Sequence, residues 1–219
     1  MLHIHFDDYG GRRQDEPGEY NGFVIFVPDH QFSNGKASMA IARKIFLRLA
    51  KYFPVSNAPR EDSGVTEDSE LIATGSNNSL DPASLLIEYG YIYEPQFNRP
   101  ALRESVVREL AFQTYIGLKS FFEEATSTPY DTTLLPHRWQ ANIGPAVVNR
   151  DVFAVQTALA LESFYPPDGI SKNDCPPSGI YGPCTERAVQ LFQGKYDITP
   201  RNGYVGERTR AKLNKLYGK

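Results

Sequence analysis

Gly179-Ile180-Tyr181-Gly182-Pro183-Cys184-Thr185 is the stretch that decides the fold of the C-terminal third of this chain, because a second copy follows it. Gly203-Tyr204-Val205-Gly206-Glu207-Arg208-Thr209 repeats the form G-x-x-G-x-x-T 24 residues later. Glycine tolerates the positive φ or the close backbone approach that a tight turn requires. A threonine in the first helical turn can accept hydrogen bonds from exposed N–H groups. The repeat therefore predicts two helices, each opened by such a turn.

Apolar residues behind each turn recur with helical spacing, and a third helix precedes them. The candidate core residues are Val152, Val155 and Leu159 in a helix over 151–163, Ala188, Val189 and Phe192 after the first turn, and Leu213 and Leu216 after the second. Residues three, four and seven apart share one face of a helix. Three such helices in about 70 residues predict a small all-α three-helix bundle, near the lower size limit for an independent core.

Cys175 and Cys184 are the only two cysteines, and they bracket the approach to the first turn. A structural zinc site needs four ligands, and no histidine lies in this region, which argues against zinc here. A disulfide closing this loop would contribute on the order of 2–3 kcal/mol to stability, and it would imply an oxidising compartment. Two reduced cysteines are the alternative.

The first 125 residues show a different pattern, in which strands alternate with helices. Period-two alternation indicates one strand, and nearly continuous apolar runs indicate two more that are covered on both faces. The expected strands are 2–6, 22–27 and 84–92, and the expected helices are 37–52 and a segment capped by Asn98, with Pro100 in its first turn, that runs to about Glu124. This alternation predicts an α/β sheet with flanking helices.

The stretches between these elements set the expected domain limits. Residues 55–82 are polar and turn-rich and predict a surface loop, whereas residues 126–149 contain three prolines and predict a semi-rigid linker. Trp139, the only tryptophan, lies in that linker and is expected to pack against a neighbouring domain. The predicted organisation is an α/β domain over 1–125, a linker over 126–149 and a helical domain over 150–219.

Charge and composition exclude several classes of protein. Residues 1–149 carry 13 Lys+Arg against 19 Asp+Glu, and residues 150–219 carry 10 against 7, within a net charge of −3. The positive tail favours an anionic polymer but falls well short of a nucleic-acid footprint, so no nucleic-acid partner is expected. No stretch approaches the roughly 20 apolar residues of a membrane span, and residues 1–13 show no secretion signal.

Residues 150–219 resemble a peptidoglycan-binding domain of the common three-helix type. The motifs that carry this resemblance are Asp151-Val152-x-x-Val155-Gln156-x-x-Leu159, Gly179-x-Tyr181-Gly182-x-x-Thr185-x-x-Ala188-Val189-x-x-Phe192-Gln193 and Gly203-x-Val205-Gly206-x-x-Thr209-x-x-x-Leu213. The insertion over 166–177, which contains Cys175, enlarges one loop. The resemblance implies peptidoglycan as a partner and assigns no individual sugar-contacting residue.

Three ionisable residues in the expected strands are candidates for chemistry. Glu88 lies inside an apolar strand, where an acid is costly unless it is paired, bound to a metal or at the strand end facing water. His3 and His5 are two residues apart and so point to the same strand face, a spacing compatible with chelating a metal. A water-facing Glu88 and two unremarkable histidines are the alternatives.

Three segments, in this order, resemble the later part of a zinc-dependent N-acetylmuramoyl-L-alanine amidase of the amidase type 3 family. They are Ile4-His5-Phe6-Asp7-Asp8, Gly22-Phe23-Val24-Ile25-Phe26 and Ser84-Leu85-Leu86-Ile87-Glu88-Tyr89-Gly90-Tyr91-Ile92. In that family a strand ending in Ile-His supplies a zinc ligand, which matches His5. A strand of the form Leu-Ile-Glu-x-Gly-Tyr/Phe-Ile supplies the catalytic glutamate, which matches Glu88. His3, His30 and His137 have no counterpart.

The resemblance implies zinc-assisted hydrolysis of the amide between N-acetylmuramic acid and L-alanine, with Glu88 relaying protons between water and the leaving amine. The family's opening strand, with its Gly-His-Gly-Gly-like turn, and the next helix, with a glutamate ligand, do not precede the matching segments. His5 alone, or His3 with His5, supplies fewer than the three protein ligands of a catalytic zinc site. The zinc site is therefore expected to be incomplete, and the sheet is expected to expose an edge.

Two functions follow as hypotheses. One is a cell-wall amidase that its helical domain holds on peptidoglycan, and the other is a catalytically incomplete amidase-like protein that binds peptidoglycan or regulates other proteins there. A phage lysin would combine the same parts and need no signal peptide, although a disulfide argues against storage in the cytosol. An extracytoplasmic or cell-wall location is expected from the function.

Overall fold

The computed structural model describes residues 1–8, 13, 16–68, 70–71, 82–122 and 132–218. Contacts between these residues divide the chain into two compact units. The first takes in the described residues of Met1–Glu94 and Leu110–Thr126, and the second those of Pro95–Glu109 and Ser127–Lys219.

The first unit contains a four-stranded mixed sheet. Its strands are β1 (Leu2–Asp7), β2 (Val24–Val27), β3 (Val65–Glu67) and β4 (Leu85–Tyr91), in the order β1-β4-β2-β3. Strand β1 is parallel to β4, β4 is antiparallel to β2, and β2 is parallel to β3. The three strands expected from the sequence are all present, and the predicted α/β fold class is confirmed.

The apolar runs that predicted β2 and β4 are buried as expected. Phe23, Ile25, Val27 and Ile87 have no exposed surface. In β4 every residue is buried except Glu88, which is half-buried. Because β4 lies between β1 and β2, it has a hydrogen-bonded strand along each of its edges.

Strand β3 corrects the prediction of a surface loop over 55–82. Ile25 pairs with Val65, and Val27 pairs with Glu67, so this short segment extends the sheet. Gly64, with φ of +72°, makes the turn into it. Three residues carry no periodic signal, which is why the sequence did not reveal this strand. Residues 69 and 72–81 of the expected loop lie outside the described residues.

Helices pack beside the sheet of the first unit. They are α1 (Gly35–Tyr52) and the part of α3 (Pro100–Phe122) that belongs to this unit, with the short α2 (Pro95–Asn98) preceding α3 in the chain. A Cβ on Gly117 would lie 2.5 Å from the Cα of Ile45, so α1 and α3 approach closely. Tyr89 Oη and Thr114 Oγ1 are 2.8 Å apart, which places α3 on the Tyr89 face of β4. Since neighbouring strand residues point to opposite faces, Glu88 points away from α3.

The two ends of α3 can be compared with the predicted limits of that helix. Pro100 is the first residue of α3, as expected for a proline in the first turn. The prediction that Asn98 caps this helix is wrong, because Asn98 is the last residue of α2 and Arg99 directly precedes Pro100. The expected C-terminal residues Glu123 and Glu124 lie outside the described residues.

The second unit is a helical bundle. Besides α2 and the start of α3, it contains α4 (Arg150–Leu161), α5 (Pro183–Lys195) and α6 (Glu207–Tyr217). These last three are the helices that the apolar spacing and the repeat predict. The buried core joins these helices to Leu135, Trp139 and Ile143 from the segment before α4. Trp139 is 1% exposed, and its indole Nε1 donates to the carbonyl of Asp151 at 2.9 Å. The segment 132–149 is therefore packed on the helices, although it contains no helix or strand of its own.

Candidate functional site

Two of the expected site residues lie opposite each other on neighbouring strands. In the pairing of β1 with β4, His5 is the register partner of Glu88, and His3 is the partner of Leu86. Register partners and residues two apart share a sheet face, so His3, His5 and Glu88 all project from the same face. The ring centroids of His3 and His5 are 6.5 Å apart. On its other side Glu88 is paired with Val24 of β2.

Glu88 is a half-buried acid whose surroundings disfavour its charge. It lies in the middle of β4, and its Oε2 atom is buried without a hydrogen-bond partner among the described residues. Burial, followed by the negative charges of Asp7 and Glu61, raises the pKa of the Glu88 carboxyl to about 7. The alternative of a strand-end glutamate facing water therefore does not describe this residue.

His3 contributes a second buried polar atom to the same face. Its Nε2 is buried and has no hydrogen-bond partner in the described part of the chain, whereas the His5 side chain belongs to an exposed residue. Imidazole and carboxylate are among the donors that bind zinc in proteins. In donor type, this face therefore fits the zinc ion that the sequence resemblance implies.

Three potential metal ligands do lie close together in the first unit, but they are not the residues of the β1–β4 pair. Among the residues that the structure describes, only Asp29, His30 and Glu67 bring three donor atoms within 4.8 Å of one another. His30 Nδ1 lies 2.9 Å from Glu67 Oε2 and 3.0 Å from Asp29 Oδ1. The hydrogen bond to Glu67 and the two negative charges raise the pKa of His30. An ion pair between a protonated His30 and the two carboxylates is enough to explain this exposed group.

In the second unit, a buried glutamine side chain holds the first turn of the repeat in place. Gln156 Oε1 accepts from the Gly179 N–H at 2.8 Å. Its Nε2 donates to the Ile180 carbonyl at 3.0 Å and to Thr185 Oγ1 at 2.9 Å. One amide side chain thus fixes the start, the middle and the end of the turn.

Gln193 does the same for the second turn. Its Oε1 accepts from the Gly203 N–H at 2.9 Å, and its Nε2 donates to the Tyr204 carbonyl at 2.9 Å and to Thr209 Oγ1 at 3.1 Å. Gly179 and Gly203 have φ of +70° and +73°, as the sequence predicted. Both threonines accept hydrogen bonds, but from a glutamine side chain. The sequence motifs contain both glutamines, each directly after an apolar core residue, Val155 or Phe192. Their distances to the two turns differ, so spacing alone could not have assigned their role.

Cys175 and Cys184 form a disulfide, with their Cα atoms 6.0 Å apart, and the chain has no free cysteine. This resolves the choice between a disulfide and two reduced thiols. The bridge joins the insertion before the first turn to the first helical turn of α5.

Reducing this disulfide is expected to lower the free energy of unfolding of the second unit by about 2–3 kcal/mol, because a short closed loop no longer restricts the unfolded chain. Trp139 fluorescence during denaturant unfolding, with and without reductant, measures the change. The Cys175→Ser, Cys184→Ser double variant serves as the control and should be insensitive to reductant. A transition that does not move upon reduction would contradict the expectation.

Comparison with known protein families gives a match within the helical part of the chain. Residues 149–213 match the family described as "Putative peptidoglycan binding domain". A search of curated proteins found no match to this sequence. The helical second part of the chain therefore contains a peptidoglycan-binding domain at 149–213, in agreement with the resemblance noted over 150–219.

Two solved structures are similar to part of the chain. One is the catalytic domain of the CD27L endolysin targeting Clostridia difficile, with a TM-score of 0.37, 16% identity, and coverage of 54% of this chain and 53% of that chain. The other is the apo form of the N-acetylmuramyl-L-alanine amidase Ami1 from Mycobacterium abscessus, with a TM-score of 0.41, 19% identity, and coverage of 56% and 54%. The similarity thus spans about half the length of each structure.

None of the helices in the described part of the chain combines the length and the apolar character of a membrane span.

Proposed function

We propose that this chain acts on peptidoglycan as an N-acetylmuramoyl-L-alanine amidase, cleaving the amide between N-acetylmuramic acid and L-alanine, while its helical domain holds the wall. The observation that carries the catalytic half of the proposal is the register of His5 with Glu88. These are the two residues that match the ligand and the catalytic glutamate of the amidase motifs, and the sheet brings them side by side. The family match at 149–213 supports the binding half.

In this proposal His3, His5 and Glu88 have different roles. They project from one face of the paired strands β1 and β4, which we call the β1–β4 face. His5 would hold a zinc ion, with His3 as a second imidazole on the same sheet face. The metal, when bound, polarises the attacking water and the amide carbonyl. Glu88 accepts a proton from the water and delivers it to the leaving amine, for which it must lie within hydrogen-bond reach of both. The buried, unpartnered oxygen of Glu88 on the His5 face suits that role.

A second candidate is a peptidoglycan-binding protein whose amidase-like unit does not hydrolyse the wall. It is favoured by the finding that, in the described residues, no group of three donor atoms within 4.8 Å includes His5 or Glu88. Catalytic zinc sites use three protein ligands. The binding domain would then be the working part of the chain.

Zinc stoichiometry and product release separate the two candidates. The full chain is titrated with zinc, and insoluble peptidoglycan is then assayed for newly exposed L-alanine amines. One tightly bound zinc with amide release supports the amidase and excludes the second candidate. No zinc and no release, with the chain still retained on the wall, supports the second candidate. A chain that is not retained on insoluble peptidoglycan at moderate salt would refute the binding role shared by both.

We also propose an extracytoplasmic or cell-wall location. The peptidoglycan-binding domain and the disulfide support it, because the polymer lies outside the cytoplasm and disulfides persist in oxidising compartments.

A further inference from the structure

The second unit has a cleft beside the second turn of its repeat, which we call the second-turn cleft. It has a volume of about 400 Å³ and is lined by residues from the loop 198–206 and the first turn of α6. Small-molecule sites commonly have volumes in this range, with an apolar lining and a few placed polar groups. The family motif assigns no ligand contact to either of the turns held by Gln156 and Gln193. The role of this cleft must therefore be inferred from its own residues.

Tyr204 presents an aromatic ring at this cleft. It is 40% exposed although its neighbours Gly203 and Val205 are buried. A Cβ on Gly144 would lie 2.5 Å from its ring carbon Cδ2, and a Cβ on Gly206 would lie 3.5 Å from Cδ1. The two glycines therefore lie next to opposite edges of the ring. Its N–H donates to Asn202 Oδ1 at 3.1 Å, and its carbonyl accepts from Gln193. The ring is therefore held in place from both its side chain and its backbone.

The charges around the ring favour a neutral ligand over an anionic one. Glu207 and Arg208 are adjacent in the cleft lining and carry opposite charges. Arg208 Nη1 donates to the Thr199 carbonyl at 3.1 Å, which fixes the guanidinium against the loop. Asn202 and Thr199 add uncharged hydrogen-bonding groups. An uncharged sugar with hydroxyl and N-acetyl groups fits this lining, whereas an acidic stem peptide would meet Glu207 as well as Arg208.

An aromatic side chain is also a group on which a sugar ring can stack. One face of a pyranose ring presents C–H bonds, whose positive edges are attracted to the negative π face of an aromatic ring. The first turn lacks this feature, because the residue that corresponds to Tyr204 there is Ile180. The cleft beside the first turn is smaller, about 270 Å³, and the disulfide and the insertion residues Asp174–Pro176 contribute to its lining.

We infer that the second-turn cleft binds the glycan strand of peptidoglycan, with an N-acetylated hexosamine stacked on Tyr204. This inference rests on the proposed binding function and specifies its ligand and its residue. It makes Tyr204 the specificity-determining contact and the second of the two similar turns the ligand-binding one.

The test uses the full chain and a soluble probe, the tetramer of N-acetylglucosamine, together with insoluble peptidoglycan. Tyr204→Ala is expected to weaken binding of the tetramer about tenfold, because the stacking surface is lost. Tyr204→Phe keeps the ring and should bind like the unchanged chain. Tyr115→Ala removes a tyrosine of α3 that is more exposed than Tyr204, 56% against 40%, and is the matched control that should leave binding unchanged.

A second measurement does not depend on the folding of any variant. Adding the tetramer to the unchanged chain should shift NMR resonances of residues 198–209 and leave those of residues 174–185 in place. Retention on peptidoglycan without tetramer binding, or with equal binding by Tyr204→Ala, would overturn the inference and leave the binding function standing. Failure of the unchanged chain to be retained on peptidoglycan would instead overturn the proposed function.

Discussion

Glu88→Gln is expected to lower amide release from peptidoglycan by at least about 100-fold, if the chain is the proposed amidase. Glutamine has nearly the shape of glutamate but cannot accept a proton from water or deliver one to an amine. Retention on insoluble peptidoglycan should not change, because that function belongs to the helical domain. The measurement is the rate at which L-alanine amines appear under zinc saturation.

Glu67→Gln is the matched control for this variant. It makes the same chemical change on β3, in the exposed group with Asp29 and His30. If the β1–β4 face carries the chemistry, Glu67→Gln keeps its amide release. The reverse result, with release lost in Glu67→Gln and kept in Glu88→Gln, would contradict the role given to Glu88 and move the chemistry to the assembled group.

The register of His5 with Glu88 shows what the sequence could and could not predict about the candidate site. The apolar pattern placed both residues on strands, and the motifs named both as candidates. The adjacency of β1 and β4 could not be predicted from periodicity, because β2, α1 and β3 intervene in the chain. Strand order depends on tertiary packing, which a local pattern does not contain.

The helical unit was more predictable, since its fold follows from a repeated local motif. The helices that follow each turn could be predicted from the repeat alone, whereas the repeat left open which of its glycines have a positive φ. The roles of Gln156 and Gln193 could not, because a glutamine on a helix is usually exposed, and both are almost completely buried here. The hydrogen bonds that each of them makes explain why polar side chains are tolerated in this core.

Gln156→Leu is expected to lower the free energy of unfolding of the second unit by about 3–5 kcal/mol. Leucine is similar in size but leaves the Gly179 N–H without its acceptor and removes the donor to Ile180 and Thr185. An unsatisfied buried polar group costs about 1–3 kcal/mol, and a small domain has only about 5–15 kcal/mol to lose. Denaturant unfolding followed by Trp139 fluorescence measures this unit, because its single tryptophan lies in the core.

Gln193→Leu should destabilise the unit by a similar amount, because Gln193 makes the same three bonds to the second turn. Its distinct consequence is for binding, since it releases the carbonyl of Tyr204. Below the unfolding transition, Gln193→Leu is therefore expected to weaken tetramer binding, whereas Gln156→Leu is not. Gln140→Leu, at an exposed position, is the matched control and should stay within about 0.5 kcal/mol of the unchanged chain. Equal unfolding midpoints for Gln156→Leu and Gln140→Leu would show that the glutamine bonds do not hold the turns.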